Sequence, residues 1–232
     1  MLQPSRKAGS KAIKGHCKTG SNAYLIWLLE SPEGRAEAKA QNNHGSWYDV
    51  QVASYALLHR SKRACQESLN ASSRRERITK QIAPDGRQPR ELERSQAWNY
   101  SLFNLEALFD AASIADKLGM DLWNYETQDK RGIRKALDWL LPFATGATEV
   151  ELSTDLRLGS RKNSRHFWRR AALQYREMSY ENALSKLPGV IADQRFNLLY
   201  PKPVATDPII FEIVTHALLL RRRNRHVSQV KM

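Results

Sequence analysis

The sequence predicts an all-α fold, and three observations carry that prediction. Apolar residues recur at helical spacing through most of the chain, and strand-like alternation is scarce, with Glu149 to Leu152 its best candidate. The breaks between helical stretches are short, which favours antiparallel helix pairs as the packing unit.

Met1 to Ser21 is Lys/Ser/Gly-rich and reads as a flexible basic leader without the apolar core of a secretory signal. Ala23 to Leu29 is apolar and stops at Ser31-Pro32, where proline ends one helix and can open the next. Pro32 to Ala40 is rich in helix formers. Gln41 to Ser46, with two Asn and one Gly, is a loop or helix junction. From Trp47 to about Ser68, Val50, Ala53 and Leu57 share one helical face. Ser72 to Ile82 is a charged helix closed by the turn Pro84-Asp85-Gly86.

The clearest helix runs from about Ala97 to Leu118, with an apolar stripe of Leu102, Leu105, Leu108, Phe109 and Ala112 and with Gly119 placed to cap it. Lys130 to Leu141 turns Ile133, Leu137 and Leu140 inward and is expected to end at Pro142. Thr145 to Ser164 lacks periodicity and reads as a long loop. Phe167 to Met178 and Tyr180 to Leu187 return to helix before Pro188-Gly189. Asn197 to Pro203 is expected to be extended, and Asp207 to about Arg223 forms a last helix.

The chain has 232 residues, enough for one sizeable core. With 41% hydrophobic and 26% charged residues, its composition is that of a globular domain rather than a disordered chain. The formal charge of +13 favours an anionic partner: a nucleic acid, a membrane surface or an acidic polysaccharide. Two cysteines, Cys17 and Cys65, without a Cys/His cluster exclude a disulfide framework and leave a zinc site unsupported. No apolar run spans a bilayer; the longest, Ile209 to Leu220, contains Glu212 and His216.

Two segments are unusual for a helical protein. One is Gln41-Asn42-Asn43-His44-Gly45-Ser46-Trp47-Tyr48-Asp49-Val50-Gln51. The other runs from Pro84 through Arg90-Glu91-Leu92-Glu93-Arg94 to Trp98-Asn99-Tyr100. Each sets amides, a cation or a His beside aromatic residues at the mouth of a helix, where sites tend to be built. Such groups suit elimination from a uronic acid glycoside. The C5 proton lies α to a carboxylate, whose growing charge must be neutralised by Arg or amide donors. A base removes that proton and an acid protonates the departing O4. Donors aimed at developing charge contribute about 2.7–4 kcal/mol each, and positioned acid–base groups roughly 10²–10⁴-fold.

Asn42 to Gln51 resembles the Asn-Asn-His motif of alginate-lyase-type polysaccharide lyases, and Pro84 to Leu105 resembles that family's second motif. Asp121-Leu122-Trp123-Asn124-Tyr125 and Asn197-Leu198-Leu199-Tyr200-Pro201 look like further landmarks. The similarity covers about Tyr24 to Pro201. It implies an α/α toroid, or barrel, of antiparallel helix pairs. Residues 22–203 would form the C-terminal part of that barrel between a leader at 1–21 and a basic helix or tail at 204–232. On this resemblance the chain reads as truncated at its N-terminal side, because family members carry a longer helical segment before the motif.

Carried over by motif, the catalytic residues are Asn43, His44, Arg94 and Tyr100. Asn43 and Arg94 would neutralise the substrate carboxylate, and Tyr100 would protonate O4. The base would be His44, or Tyr100 itself where the C5 proton and O4 share a face. Asn42, Trp47, Tyr48, Arg90 and Trp98 are the candidates for substrate binding. Trp47, Tyr48 and Trp98 fit a core role equally well, and Arg90 fits a surface pair with Glu91 or Glu93. Those two glutamates point to different sides of a helix, which disfavours a glycosidase pair. His59, His166, His216 and His226 carry no motif and read as structural or exposed.

The resemblance thus implies a lyase acting on alginate or a glucuronan-like polymer, with an anionic polysaccharide as partner, no nucleic acid, no cofactor and no metal. Family enzymes are usually exported, although Met1 to Gly20 shows no signal. The alternative is a remnant without turnover, a basic helical module binding an anionic polymer through residues such as Arg221-Arg222-Arg223.

Overall fold

The computed structural model describes residues 19–59, 71–147, 164–187 and 195–202, and every element among them is helical, with no strand. The first helix, α1, includes residues 19–30. It is followed by α2 (Pro32–Lys39), α3 (Asn43–Leu58), α4 (Ala71–Gln81), the single turn α5 (Pro89–Leu92) and α6 (Ala97–Asp116). After these come α7 (Ile133–Thr145), α8 (Arg165–Tyr175), α9 (Met178–Lys186) and the short α10 (Arg195–Leu199).

Local chemistry accounts for the boundaries. Ser31 caps α2, its hydroxyl accepting from Gly34 N at 2.9 Å, with Pro32 at the first turn. Helix α3 begins four residues earlier than its apolar pattern suggests, because the side chain of Asn42 accepts from His44 N and caps it. Asn43 and His44 therefore belong to a first helical turn, not a loop. Gly119, at φ +75°, closes α6 as expected: Gly119 N donates to Asp116 O and Met120 N to Ala115 O.

Three further boundaries differ from expectation. Pro142 lies inside α7, which continues to Thr145; the helix stops at Gly146, at φ +68°, where Ala147 N donates to Pro142 O at 2.8 Å. The stretch expected as one helix from Phe167 to Met178 breaks at Arg176, whose φ of +53° turns the chain into Glu177, the cap of α9. Asn197 to Leu199, the start of the stretch expected to be extended from Asn197 to Pro203, coil into α10. There the buried Arg169 guanidinium binds Asn197 Oδ1 at 3.0 Å and Tyr200 O at 3.2 Å, gathering both ends of the turn onto one cation. Glu149 to Leu152, most of Met1 to Ser21 and the helix expected from Asp207 lie outside the described residues.

Two apolar clusters meet on α6. One flank sends Ala107, Ala111 and Ile114 against Leu25 and Leu28 of α1 and Val50, Val52, Ala53 and Ala56 of α3. The small alanines let α3 and α6 approach closely. The other flank sends Leu105, Leu108, Phe109 and Ala112 against α4, α7, α8 and α9, in a core rich in rings. Phe109 stacks on Phe167 with centroids 4.6 Å apart and meets Trp123 edge-on at 4.9 Å. A helix apolar on both flanks is a buried helix, and α6 carries Tyr100 in its first turn.

Candidate active site

The first motif is built from Asn42 outward. Its carbonyl accepts from Gln81 Nε2 at 2.8 Å, and Gln81 Oε1 accepts from Ser46 Oγ at 2.8 Å and Asn104 Nδ2 at 3.1 Å. Asn104 Nδ2 also reaches Gln88 Oε1 at 2.8 Å, while Gln88 Nε2 donates to Ser101 O at 3.1 Å. Gln81, Gln88, Ser101 and Asn104 are almost fully buried. This amide chain fastens α3, the end of α4, the approach to α5 and the first turns of α6 to one another. In a low-dielectric interior such a directional network favours one geometry, even though Asn104 Oδ1 and the Ser101 hydroxyl are buried without a partner among the described residues.

Gly45 has a steric reason. A Cβ there would lie 2.2 Å from Ala40 O and 2.2 Å from Arg77 Nη1. Arg77 crosses this gap to pair with Asp49, Nε to Oδ2 at 2.8 Å, and to donate to the carbonyls of Ala38, at 2.6 Å, and Ala40. The α2–α3 corner is thereby clamped to α4.

The second motif closes over the first. Gly86, at φ +94°, sits where a Cβ would meet Lys135 O at 2.4 Å, so the Pro84–Gly86 turn lies flush on α7. Pro89 opens α5, and the carboxylate of Glu91 turns inward at 1% exposure. Its Oε1 accepts from Asn43 N at 2.6 Å and its Oε2 from Asn43 Nδ2 at 2.7 Å. Burial pushes the Glu91 carboxyl above the usual range, against the pull of the Asn43 bonds and the charges of Arg94 and His44. The Arg94 guanidinium lies 4.3 Å over the ring of Tyr100. Asn43 thus holds the Glu91 carboxylate directly, Arg94 and His44 act on it only through their charge, and Tyr100 lies beneath the arginine.

His44 is about half exposed, and its Nδ1 lies 2.9 Å from Glu37 Oε2. Trp47, one turn further along α3, packs at 5.0 Å against Phe103, one turn beyond Tyr100, and Phe103 is itself 45% exposed. Arg90 is exposed on α5. Two substrate-binding candidates are drawn elsewhere. Trp98 is fully enclosed in the ring-rich core, so it has no face for a sugar. Tyr48 spends its hydroxyl on Leu28 O at 3.2 Å, fastening α3 to α1, and burial raises its phenol.

The other candidates fall as follows. Glu91 is buried and Glu93 exposed, on different sides as the spacing implies. His59 bonds Ser21 Oγ at 2.9 Å, and His166 bonds Glu106 at 3.1 Å; His216 and His226 lie outside the described residues. Sequence reasoning missed Glu37, Arg77, Gln81 and Gln88, and missed Asn104 as more than part of a motif. The one available signal was Asn104, an amide set among Leu102, Leu105 and Leu108 on an apolar helix. Among the described residues no group of three His, Cys, Asp or Glu could hold a metal, and no helix is long and apolar enough to cross a membrane.

The helical frame thus brings the two motifs together, Asn43 of the first on Glu91 of the second and Arg94 on the ring of Tyr100. The sequence profile of the alginate lyase family matches residues 11–150. A solved alginate lyase from Bacteroides ovatus is 32% identical with a TM-score of 0.74, over 82% of this chain and 50% of that one. No curated protein matches the chain. The chain belongs to the alginate lyase family. It spans about half the length of the Bacteroides ovatus enzyme, and its helical architecture fits an α/α toroid.

Proposed function

We propose that this protein is a polysaccharide lyase that cleaves a uronic-acid-containing polymer by β-elimination and leaves a 4,5-unsaturated uronate end. The observation that carries the reading is the fastening of the Asn-Asn-His turn to the second motif, Asn43 held by Glu91 on both carboxylate oxygens, with Arg94 of that second motif 4.3 Å over the ring of Tyr100. Arg94 donates to the substrate carboxylate, joined by the one Nδ2 hydrogen of Asn43 that Glu91 does not take, and together they hold the charge that develops when C5 loses its proton. Tyr100 protonates O4 as the C4–O4 bond breaks, and the Arg94 cation stands against the phenolate left behind. His44 takes the C5 proton. Where that proton and O4 share a face, as in mannuronate or glucuronate, Tyr100 serves both purposes. Trp47 and Phe103 supply a partly exposed aromatic surface one turn away for the sugar rings.

The test is incubation with alginate, its mannuronan and guluronan fractions and glucuronan, following the ultraviolet absorbance of the unsaturated product. A steady rise that disappears in His44→Ala and Tyr100→Phe is expected. Near-normal turnover by Tyr100→Phe on every uronan would sink the assignment. The charge of +13 favours a second reading, a basic helical module that holds an anionic polymer without turnover. Salt-sensitive uronan binding with no product would be its signature.

A further inference from the structure

We infer that Glu37 is a positioning residue for His44: it holds the imidazole in the Nδ1–H form and leaves Nε2 as the proton acceptor. This inference rests on the lyase reading for its purpose, and on geometry for its substance. An ionised carboxylate can only accept, so a Nδ1 atom 2.9 Å from Glu37 Oε2 carries the hydrogen. The lone pair of the neutral ring is then on Nε2, the nitrogen facing away from Glu37. A base oriented by a third group is the general pattern for such chemistry.

A half-exposed ion pair ordinarily stabilises little and wanders. This one is braced. Arg77 binds the carbonyl of Ala38, next to Glu37, together with that of Ala40, and pairs with Asp49 one turn after His44. Gly45 opens the gap through which the guanidinium passes. The backbones on either side of the Glu37–His44 pair are thus referred to the same part-buried cation, which limits how far the carboxylate and the ring can drift apart.

In turnover of guluronate, where the C5 proton and O4 lie on opposite faces, the Nε2 lone pair takes the C5 proton, and the C–H electron pair becomes the C4=C5 double bond. The C4–O4 bond breaks toward oxygen, which receives the Tyr100 proton. The imidazolium keeps its Nδ1–H on Glu37, and solvent returns the Nε2 proton to the Tyr100 phenolate.

The experiment is 15N NMR of the histidine rings in the full chain, with His44 assigned by the signals lost in His44→Asn. At a pH where the ring is neutral, the wild type should show the Nδ1–H form. Glu37→Leu should shift the ring toward Nε2–H and lower kcat at least about tenfold with little change in KM. Glu37→Gln keeps an acceptor oxygen, so it should restore both the Nδ1–H form and most of the rate. A wild-type ring in the Nε2–H form, or a Glu37→Leu variant with unchanged tautomer and kcat, overturns the inference. Absence of product from the wild type counts against the lyase reading, and the tautomer measurement still decides the role of Glu37.

Discussion

Around Gln81, Gln88 and Asn104 the interior is held by amide hydrogen bonds, whereas between α6, α8 and α9 it is held by packed rings. In the second region Phe109, Trp123, Phe167, Trp168 and Tyr180 share one cluster. Its phenols are tied off, Tyr180 donating to Asp138 and Tyr175 to Trp123 O, and burial pushes both far up. The indole N–H groups of Trp98 and Trp168, by contrast, are buried without a partner among the described residues. Ring packing is non-directional enough to tolerate small shifts, and it supplies most of the apolar burial. Amide bonds are directional and leave costly unpaired groups when displaced. The contrast teaches a division of labour: the rings hold the chain folded, and the amides hold Asn43, Arg94 and Tyr100 in register.

The largest effect should come from the ring core. Trp168→Ala is expected to destabilise by about 3–5 kcal/mol, read by thermal or denaturant unfolding, while the fraction that remains folded keeps its turnover. If activity instead vanished in a fully folded variant, the division would be broken. Next, Arg94→Ala should cut kcat/KM by roughly 10²–10³-fold, with a melting temperature close to that of the wild type. Asn104→Leu tests the hinge between the two regions. It strips the donor from both Gln81 and Gln88, should cost about 1–3 kcal/mol, and should also lower turnover because Asn42 and Ser46 lose their shared anchor.

The smallest effect concerns Glu91 and pH. Its folded pKa is raised above the ordinary Glu value of 4.5. Between that value and the raised one, the folded state binds more protons than the unfolded state, so stability falls as pH rises through this window and then levels off. Glu91→Gln should flatten that slope in pH-dependent unfolding. An unchanged slope would mean that another group is responsible.

The ring-rich region was largely legible in the sequence, because Leu105, Leu108, Phe109, Leu137 and Leu140 repeat at the helical period. Its errors were local: Pro142 could be read as a stop only by ignoring that Gly146 offered a better one. The site was legible as two motifs, which named Asn43, His44, Arg94 and Tyr100. The supporting residues were not, since Gln81, Gln88 and Asn104 come from three segments and nothing in a linear pattern says that they converge. Glu37 was hidden for the opposite reason: on α2 it looked like one helix-forming residue among several. Trp98 stays open between cleft and core in the sequence, because an aromatic residue beside a motif looks the same in either place, and the structure puts it in the core.

The burial of α6 on both flanks also sets a clock. Its backbone amides can exchange with solvent deuterium only through openings that disrupt both apolar clusters, close to global unfolding. Helix α2 rests chiefly on α3 and can detach through a smaller opening. Tyr100 and Glu37, both called on by the proposed mechanism, therefore sit on scaffolds expected to breathe at very different rates. Slowly exchanging amides along Leu105 to Ala115, beside faster ones along Glu33 to Lys39, would be the isotopic record of that difference.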